Sequence, residues 1–204
     1  MPRLIASCFV CILAVASAYA ESSKKQTTIG VSVALTGPVG AVGETIKNGL
    51  LLGQKVFDPN NSVRFIFEDD GFQPKNTVSV VNKFITQDKV DGLIVFGAST
   101  SLSVSGIAEK HHIPLAGLTV LETLEQDKQY SVRFFPSTED LNARTVAELK
   151  KRSYKDMAVV ATTQDATLQQ RDHFINSAVS KVVLSQEFLP GDLDFRSTIA
   201  RIKA

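Results

Sequence analysis

Residues 28–49 read TIGVSVALTGPVGAVGETIKNG, and this segment carries the clearest indication of the fold. Apolar residues alternate with small ones from Ile29 to Leu35, which is typical of a parallel strand covered on both faces. Gly37-Pro38 then predicts a turn, and apolar residues at helical spacing predict a helix over residues 42–57. Together, the strand, turn and helix indicate an α/β protein whose first β-to-α loop faces a ligand.

The residues before this stretch have the pattern of a signal peptide. Arg3 provides a positive start, residues 4–15 are mostly apolar, and Ser-Ala-Tyr-Ala at 17–20 has the small-x-small pattern of a cleavage site. We expect cleavage after Ala20 and export of the mature chain. A retained anchor is the alternative, although the apolar run is shorter than the ~20 residues that a membrane span needs. Cys8 and Cys11 lie inside this segment, so the mature chain has no thiol.

The charge balance argues against a nucleic-acid partner. The chain has 22 Lys and Arg residues against 21 Asp and Glu residues, and loss of Arg3 with the signal peptide leaves equal numbers. Nucleic-acid binding needs clustered positive charge. The short basic run at residues 150–152 is explained as a solvated helix C-terminus, which the helix dipole favours.

Downstream of residue 57, strand and helix patterns continue to alternate. The predicted strands cover residues 63–67, 93–96 and 113–117, with a helix beginning at Pro74 and a small polar loop over 97–101 that opens another helix. Short strand-helix-strand units imply right-handed crossovers and a doubly wound parallel sheet.

A second series of elements begins after Pro136. Ser137 to Asp140 resembles a capping box and opens a helix that ends near Arg152. Further strands are predicted over 157–161 and 182–185, and further helices over 166–178 and 195–202. We therefore predict one ligand-binding lobe over residues 21–135 and part of a second α/β lobe over residues 136–204. Two strands are too few for an independently stable sheet.

Several short motifs, in this order and spacing, resemble one protein family. They are Ile29-Gly-Val, Leu35-Thr-Gly-Pro38, Glu68-Asp-Asp70 with Pro74, Val90-Asp91, Ile113-Pro114, Arg133 to Ser137 and Pro190 to Phe195. The mature chain is similar to the N-terminal part of periplasmic substrate-binding proteins of the branched-chain amino acid (leucine/isoleucine/valine) type, which serve ABC importers. Members are considerably longer than this chain.

The resemblance implies a fold and a function. It implies two doubly wound lobes joined by hinge strands, as in the type I periplasmic-binding fold, with a small solute bound in the cleft between them. It also implies a periplasmic monomer that works with a membrane permease, uses no cofactor and catalyses no reaction.

The resemblance also implies six candidate ligand-binding residues. They are Val42, Ala98, Ser99, Thr100, Thr119 and Asp165. Val42 stands where the family has an aromatic residue, Ala98 aligns with its ligand-binding serine, and Thr119 is displaced by one or two positions from its threonine. The Tyr-Gly pair of the second lobe is missing around Asp165. These departures favour a small polar solute, such as an amino acid, an amide or a related compound, over a branched-chain amino acid.

Other chemical patterns are incomplete. Gly37, Gly40 and Gly43 are spaced differently from a dinucleotide-binding loop. Adjacent Asp69 and Asp70 are better explained as turn caps than as an acid pair, and His111-His112 as a helix end rather than a metal site. No G-x-S-x-G motif occurs. We therefore expect no catalytic residue, metal or cofactor.

Two alternatives to transport stay open. The first is a sensory or regulatory module of the same fold, which passes cleft closure to a receptor. The second is a non-functional fragment. If Ala204 is the true end, we expect a partly folded, aggregation-prone chain that binds solute weakly or not at all, because the second wall of the cleft is incomplete and strand edges are exposed.

Overall fold

The computed structural model describes residues 26–178, 180–189 and 191–203. The predicted signal peptide, its cleavage site after Ala20 and both cysteines lie outside the described residues. Within these ranges, none of the helices combines the length and the apolar character that a membrane crossing needs. The described residues form two parallel sheets that follow one another along the chain.

The first sheet contains five strands. They are β1 (Thr27–Val33), β2 (Val63–Asp69), β3 (Gly92–Phe96), β4 (Leu115–Leu118) and β5 (Ser131–Arg133). Their spatial order is β2-β1-β3-β4-β5, and every neighbouring pair is parallel. The four strands predicted in this region are confirmed, whereas β5 was not predicted and forms one edge of the sheet.

Three helices connect these strands: α1 (Gly40–Phe57), α2 (Pro74–Lys83) and α3 (Ala98–His111). α2 begins with Pro74, as predicted, and continues into a π-helical turn over Phe84–Asp88. α1 approaches the chain closely at Gly43, where an added Cβ would lie 1.7 Å from the carbonyl oxygen of Ala34. Only glycine fits at this point, so it sets the distance between α1 and the end of β1.

The main core lies between the first sheet and helices α2 and α3. Phe84, Val95 and Leu115 are fully buried there. Gly30 leaves room for the Phe84 ring, since an added Cβ would lie 2.6 Å from its Cδ2 atom. Full burial of such a side chain stabilises a fold by roughly 1.5–3 kcal/mol. This cluster therefore holds the first sheet and its helices together.

The second sheet has two parallel strands, β6 (Asp156–Thr162) and β7 (Lys181–Phe188). Its helices are α4 (Thr138–Arg152), α5 (Asp165–Ser177) and α6 (Arg196–Lys203). α4 begins at the predicted cap, where the Ser137 Oγ accepts a hydrogen bond from the Asp140 N–H at 3.0 Å. Along β7, half-buried and exposed side chains alternate, which is typical of a strand with one covered face.

We call residues 26–133 the first lobe and residues 137–203 the second lobe. The segment 134–136 connects them, and the rings of Phe134 and Phe135 are largely exposed. The lobes also approach each other where α3 meets α5. The predicted fold class, a doubly wound parallel lobe followed by a second α/β unit, is confirmed. The domain boundary near Pro136 stays a prediction.

Candidate functional site

A cavity of about 230 Å³ lies where the two lobes meet. The first lobe contributes Phe72, Ala98 and Ser99, and the second lobe contributes Thr163, Gln164 and Ala166. These residues follow the carboxyl ends of β2, β3 and β6. Open parallel sheets bind ligands in the crevice outside the carboxyl ends of their strands. The position of the cavity makes it the candidate site.

The first lobe turns the beginning of α3 toward this cavity. Gly97 precedes the helix with a φ of 102°, and its N–H donates to the carbonyl of Leu118 at 3.2 Å. The N–H of Ser101 is bonded back to the Gly97 carbonyl at 3.2 Å. The amides of residues 98–100 precede that bond, so they have no carbonyl one turn earlier in the helix. A helix N-terminus of this kind carries partial positive charge and attracts anions.

The second lobe presents another helix N-terminus to the same cavity. Gln164 precedes α5, and its carbonyl accepts from the Leu168 N–H at 2.9 Å. Asp165 is the first residue of α5 and lies in the chain between Gln164 and Ala166, which both line the cavity. Its predicted contact with a ligand stays a prediction. The six lining residues named above are uncharged, and each helix N-terminus adds partial positive charge beside them.

Two of the predicted site residues, Ala98 and Ser99, line the cavity. Ser99 is exposed, and its hydroxyl makes no hydrogen bond with any other residue that the structure describes. The sequence analysis placed both residues in a loop over 97–101, and this was wrong. The helix begins at Ala98 because Gly97, whose positive φ favours glycine, turns the chain directly from β3 into α3.

Three other predicted residues lie outside the cavity lining. Thr100 and Thr119 are buried, and their hydroxyls bond to the backbone. The Thr100 hydroxyl donates to the carbonyl of Phe96, and the Thr119 Oγ1 accepts from the Leu121 N–H at 3.0 Å. Val42 is 44% exposed near the start of α1. Ligand contact by these three residues stays a prediction that the present geometry does not support.

Asp69 ties together two segments next to the cleft. Its carboxylate accepts hydrogen bonds from the Leu35 N–H at 2.8 Å, the Gly71 N–H at 2.9 Å and the Thr36 hydroxyl at 2.5 Å. The bond from the Thr36 hydroxyl is the main cause that lowers the pKa of Asp69 below its ordinary value. The carboxylate therefore stabilises the turns after β1 and β2, as the sequence analysis predicted.

Asp70 holds a turn that brings an aromatic ring into the cavity wall. Its fully buried carboxylate accepts from the hydroxyls of Ser32 at 2.7 Å and Thr77 at 3.0 Å. It also accepts from the N–H of Phe72 at 2.9 Å. The sequence analysis missed Phe72 as a site residue. The available signal was its place in the turn between β2 and Pro74, at the carboxyl end of a predicted strand.

These features define a class of protein. Two α/β lobes with a cavity between them and a helix N-terminus from each lobe provide a concave place where a small molecule could fit. The profile of the periplasmic binding protein family matches residues 26–204. The chain belongs to this family.

Relatives and solved structures agree with this assignment. The chain is 27% identical over 202 residues to a Leu/Ile/Val-binding protein, BraC3, of Rhizobium johnstonii, covering 92% of this chain and 54% of that protein. It is similar in fold to the substrate-binding protein LivJ of Streptococcus pneumoniae in complex with isoleucine, with a TM-score of 0.76, 19% identity and coverage of 88% and 54%. A solute-binding protein of Rhodopseudomonas palustris in complex with p-hydroxybenzoic acid gives a TM-score of 0.78, 18% identity and coverage of 87% and 51%.

The chain spans about half the length of the curated relatives that it matches. These relatives are named as binding proteins, and the structural similarities, which are below 25% identity, establish the fold. The predicted family and fold are thus confirmed.

Proposed function

We propose that this protein is a solute-binding component of an ABC importer that binds a small carboxylate in the cavity between its lobes. The observation that carries this proposal is the convergence of two helix N-termini on one cavity between the lobes, in a chain of the periplasmic binding protein family. The carboxylate accepts hydrogen bonds from the free amides of residues 98–100, and the Ser99 hydroxyl donates another.

The relatives support a carboxylate as the shared chemical feature of the ligand. Isoleucine and p-hydroxybenzoic acid, which are bound in two of the similar structures, both carry one. A ligand that contains a carboxylate, such as an amino acid or another small organic acid, agrees with the small polar solute predicted from the sequence.

The proposed mechanism is closure of the cleft without any chemical conversion. The ligand contacts the α3 end in the first lobe and the α5 end in the second, so it stabilises the closed arrangement relative to the open one. The segment 134–136 is the proposed hinge, at the predicted domain boundary. The closed, loaded protein then delivers its solute to a membrane permease.

The proposed location is the periplasm. Export depends on the predicted signal peptide over residues 1–20, and the chain itself belongs to a family described as periplasmic binding proteins. N-terminal sequencing of the protein after expression in a Gram-negative host tests this part. A mature chain that begins at Glu21 is the expected result, and an uncleaved chain would contradict it.

Binding is tested by NMR titration, which detects dissociation constants in the millimolar range. The probes are benzoate and isoleucine. Each is compared with the analogue in which a neutral amide replaces the carboxylate, benzamide or isoleucinamide. At least one acid should bind more tightly than its amide. Ser99→Ala should weaken binding of that acid about tenfold, because a hydrogen bond to a charged group is lost.

Ser79→Ala is the matched control. Ser79 is an exposed serine on α2 whose hydroxyl bonds to the carbonyl of Lys75, and its replacement should leave binding unchanged. Equal affinity for acid and amide, or no binding of any probe, would overturn the proposal.

A further inference from the structure

We propose that Phe72 is a specificity-determining residue, whose ring forms an aromatic wall of the cavity and favours ligands with a flat aromatic ring. This inference rests on the proposed function above, since it assumes that a carboxylate binds at the start of α3. It adds which class of carboxylate the site prefers and which residue makes the choice.

The backbone of this turn has an unusual conformation. Phe72 has a φ of 60°, in the left-handed region that bulky residues rarely adopt, and Gly71 before it has a φ of 56°. The turn keeps this conformation because the Phe72 N–H donates to Asp70, which is itself bonded to Ser32 on β1 and Thr77 on α2. The direction of the Phe72 side chain is therefore set by three separate elements of the first lobe.

The Phe72 ring lies immediately beside the proposed carboxylate position. An added Cβ on Gly97 would be 2.5 Å from the Cε2 atom of Phe72, so the ring occupies the space that any other residue would fill at position 97. Gly97 directly precedes the free amides of residues 98–100. A ligand whose carboxylate accepts from these amides thus has its hydrocarbon part next to this ring.

The Phe72 ring packs against another aromatic ring and also contributes to the cavity lining. Its ring packs against that of Phe96, with centroids 5.5 Å apart and planes tilted by 36°. The side chain is only half-buried and contributes to the cavity lining. Aromatic rings prefer offset-stacked or edge-to-face contact with another ring, and such a pair adds to the effect of simple burial. A flat ring is therefore favoured over a puckered one of the same carbon count.

The test compares benzoate with cyclohexanecarboxylate, which has the same carboxylate and the same number of carbon atoms. Burial alone favours the saturated ring, which exposes more apolar surface. We expect the protein to bind benzoate roughly threefold to tenfold more tightly in NMR titrations. Phe72→Leu should bring the two dissociation constants within about twofold, whereas Phe72→Tyr should keep the preference for benzoate.

Phe72→Gly guards against a loss of folding, because glycine adopts a positive φ without strain. Relief of the backbone strain offsets part of the packing lost against Phe96, so this variant should fold and still lose the preference. Phe57→Leu is the matched control, since Phe57 ends α1 and is 85% exposed. It should leave the ratio of the two dissociation constants unchanged.

The outcomes separate this inference from the proposed function. Binding of carboxylates with no preference for benzoate, or a preference that survives in both Phe72→Leu and Phe72→Gly, overturns the role of Phe72 and leaves carboxylate binding intact. If neither benzoate nor cyclohexanecarboxylate binds, and isoleucine also fails to bind, both the inference and the proposed function are wrong.

Discussion

The two lobes differ sharply in how much apolar surface they bury. Of the apolar residues that are buried in the described part of the chain, thirteen belong to the first lobe and only Ala161 belongs to the second. Among the described residues, the first lobe contains a five-stranded sheet and the second a two-stranded one. Burial of apolar surface is the main favourable term in folding. The first lobe therefore supplies most of the stability of the described chain.

This difference carries over to the cleft. The first-lobe wall, with Ala98 and Ser99 on α3, is attached to the buried core, so its backbone amides are held in place without a ligand. The second-lobe wall, with Gln164 and Ala166, is attached to a lobe with little core. Regions with few buried apolar contacts open at lower free energy. Under the proposed function, the first wall would therefore fix the ligand's orientation and the second would close over it.

The difference in packing between the lobes is tested most directly by removing one phenylalanine ring from each lobe. Phe84 is fully buried in the first lobe, and Phe84→Ala should lower the free energy of unfolding by about 3–5 kcal/mol. Phe188 in β7 is half-buried and contacts Phe195 edge-on, with ring centroids 5.0 Å apart. Phe188→Ala should lower the free energy by about 1 kcal/mol.

Urea unfolding followed by circular dichroism measures both changes. The two lobes can unfold in separate transitions, so each transition is fitted by itself. Equal losses for the two variants would show that the second lobe is packed as tightly as the first, and the comparison would be wrong.

Two glycines of α1 test how tightly this helix is packed in the first lobe. Gly43 has no space for a Cβ beside the Ala34 carbonyl, whereas a Cβ on Gly49, in the same helix, would meet nothing within 4 Å. Gly43→Ala should destabilise the protein by about 2 kcal/mol or more, because α1 must move away from the chain. Gly49→Ala should stabilise it by roughly 0.5–1 kcal/mol, because alanine is the better helix former.

Thermal unfolding measures both variants under the same conditions. The decisive result is the opposite sign of the two changes in Tm. If Gly43→Ala is neutral, α1 is free to shift, and tight packing in the first lobe is limited to the side of the sheet that holds Phe84.

Much of the fold could be predicted because local signals agree with tertiary structure in the first lobe. Alternating apolar residues marked β1, Gly37-Pro38 and Pro74 marked turns and a helix start, and Ser137 marked the cap of α4. β5 was missed because Ser131–Arg133 is short and contains one apolar residue, so only its pairing with β4 makes it a strand. Its existence depends on contacts distant in sequence.

The site was less predictable than the fold. Ala98 and Ser99, which line the cavity, could be chosen as candidates because they follow a strong strand signal, at the place where the resemblance implies a ligand. Phe72 was missed because its orientation depends on a left-handed backbone and a buried Asp70, neither of which has a sequence pattern. For Thr100, the sequence could not show that its hydroxyl bonds to the backbone of the preceding strand.

The smallest expected effect compares one aspartate from each lobe. Asp69 accepts bonds from the segment after β1 and from its own turn, so it links separate parts of the first lobe. Asp194 bonds locally to Arg196, and both side chains are mostly exposed. The pKa of Asp69 is lowered, chiefly by the Thr36 hydroxyl, and that of Asp194 is lowered by the Arg196 side chain. Both pKa values are therefore lowered, but only Asp69 links segments that are distant in the sequence.

A lowered pKa means that the ionised form of the carboxylate is more stable in the folded protein than in the unfolded chain. The stabilisation by Asp69 is therefore present above the ordinary carboxyl pKa near 4 and is lost as the pH falls through the lower, folded-state pKa. Asp69→Asn should reduce stability at pH 7 by about 1 kcal/mol, after allowance for solvent screening, or roughly 2–4 °C in Tm. This difference from the parent should shrink toward zero as the pH is lowered below the folded-state pKa.

Asp194→Asn should leave the Tm unchanged across the same pH range, because an exposed pair two residues apart constrains little of the fold. Thermal unfolding of the parent and both variants, from pH 7 down to acidic pH, measures the difference in Tm between each variant and the parent. A pH-dependent loss for Asp194→Asn as large as that for Asp69→Asn would mean that the segment before α6 is held as firmly as the turns beside the cleft. In that case the second lobe would owe its stability to polar links, in place of the buried core that holds the first.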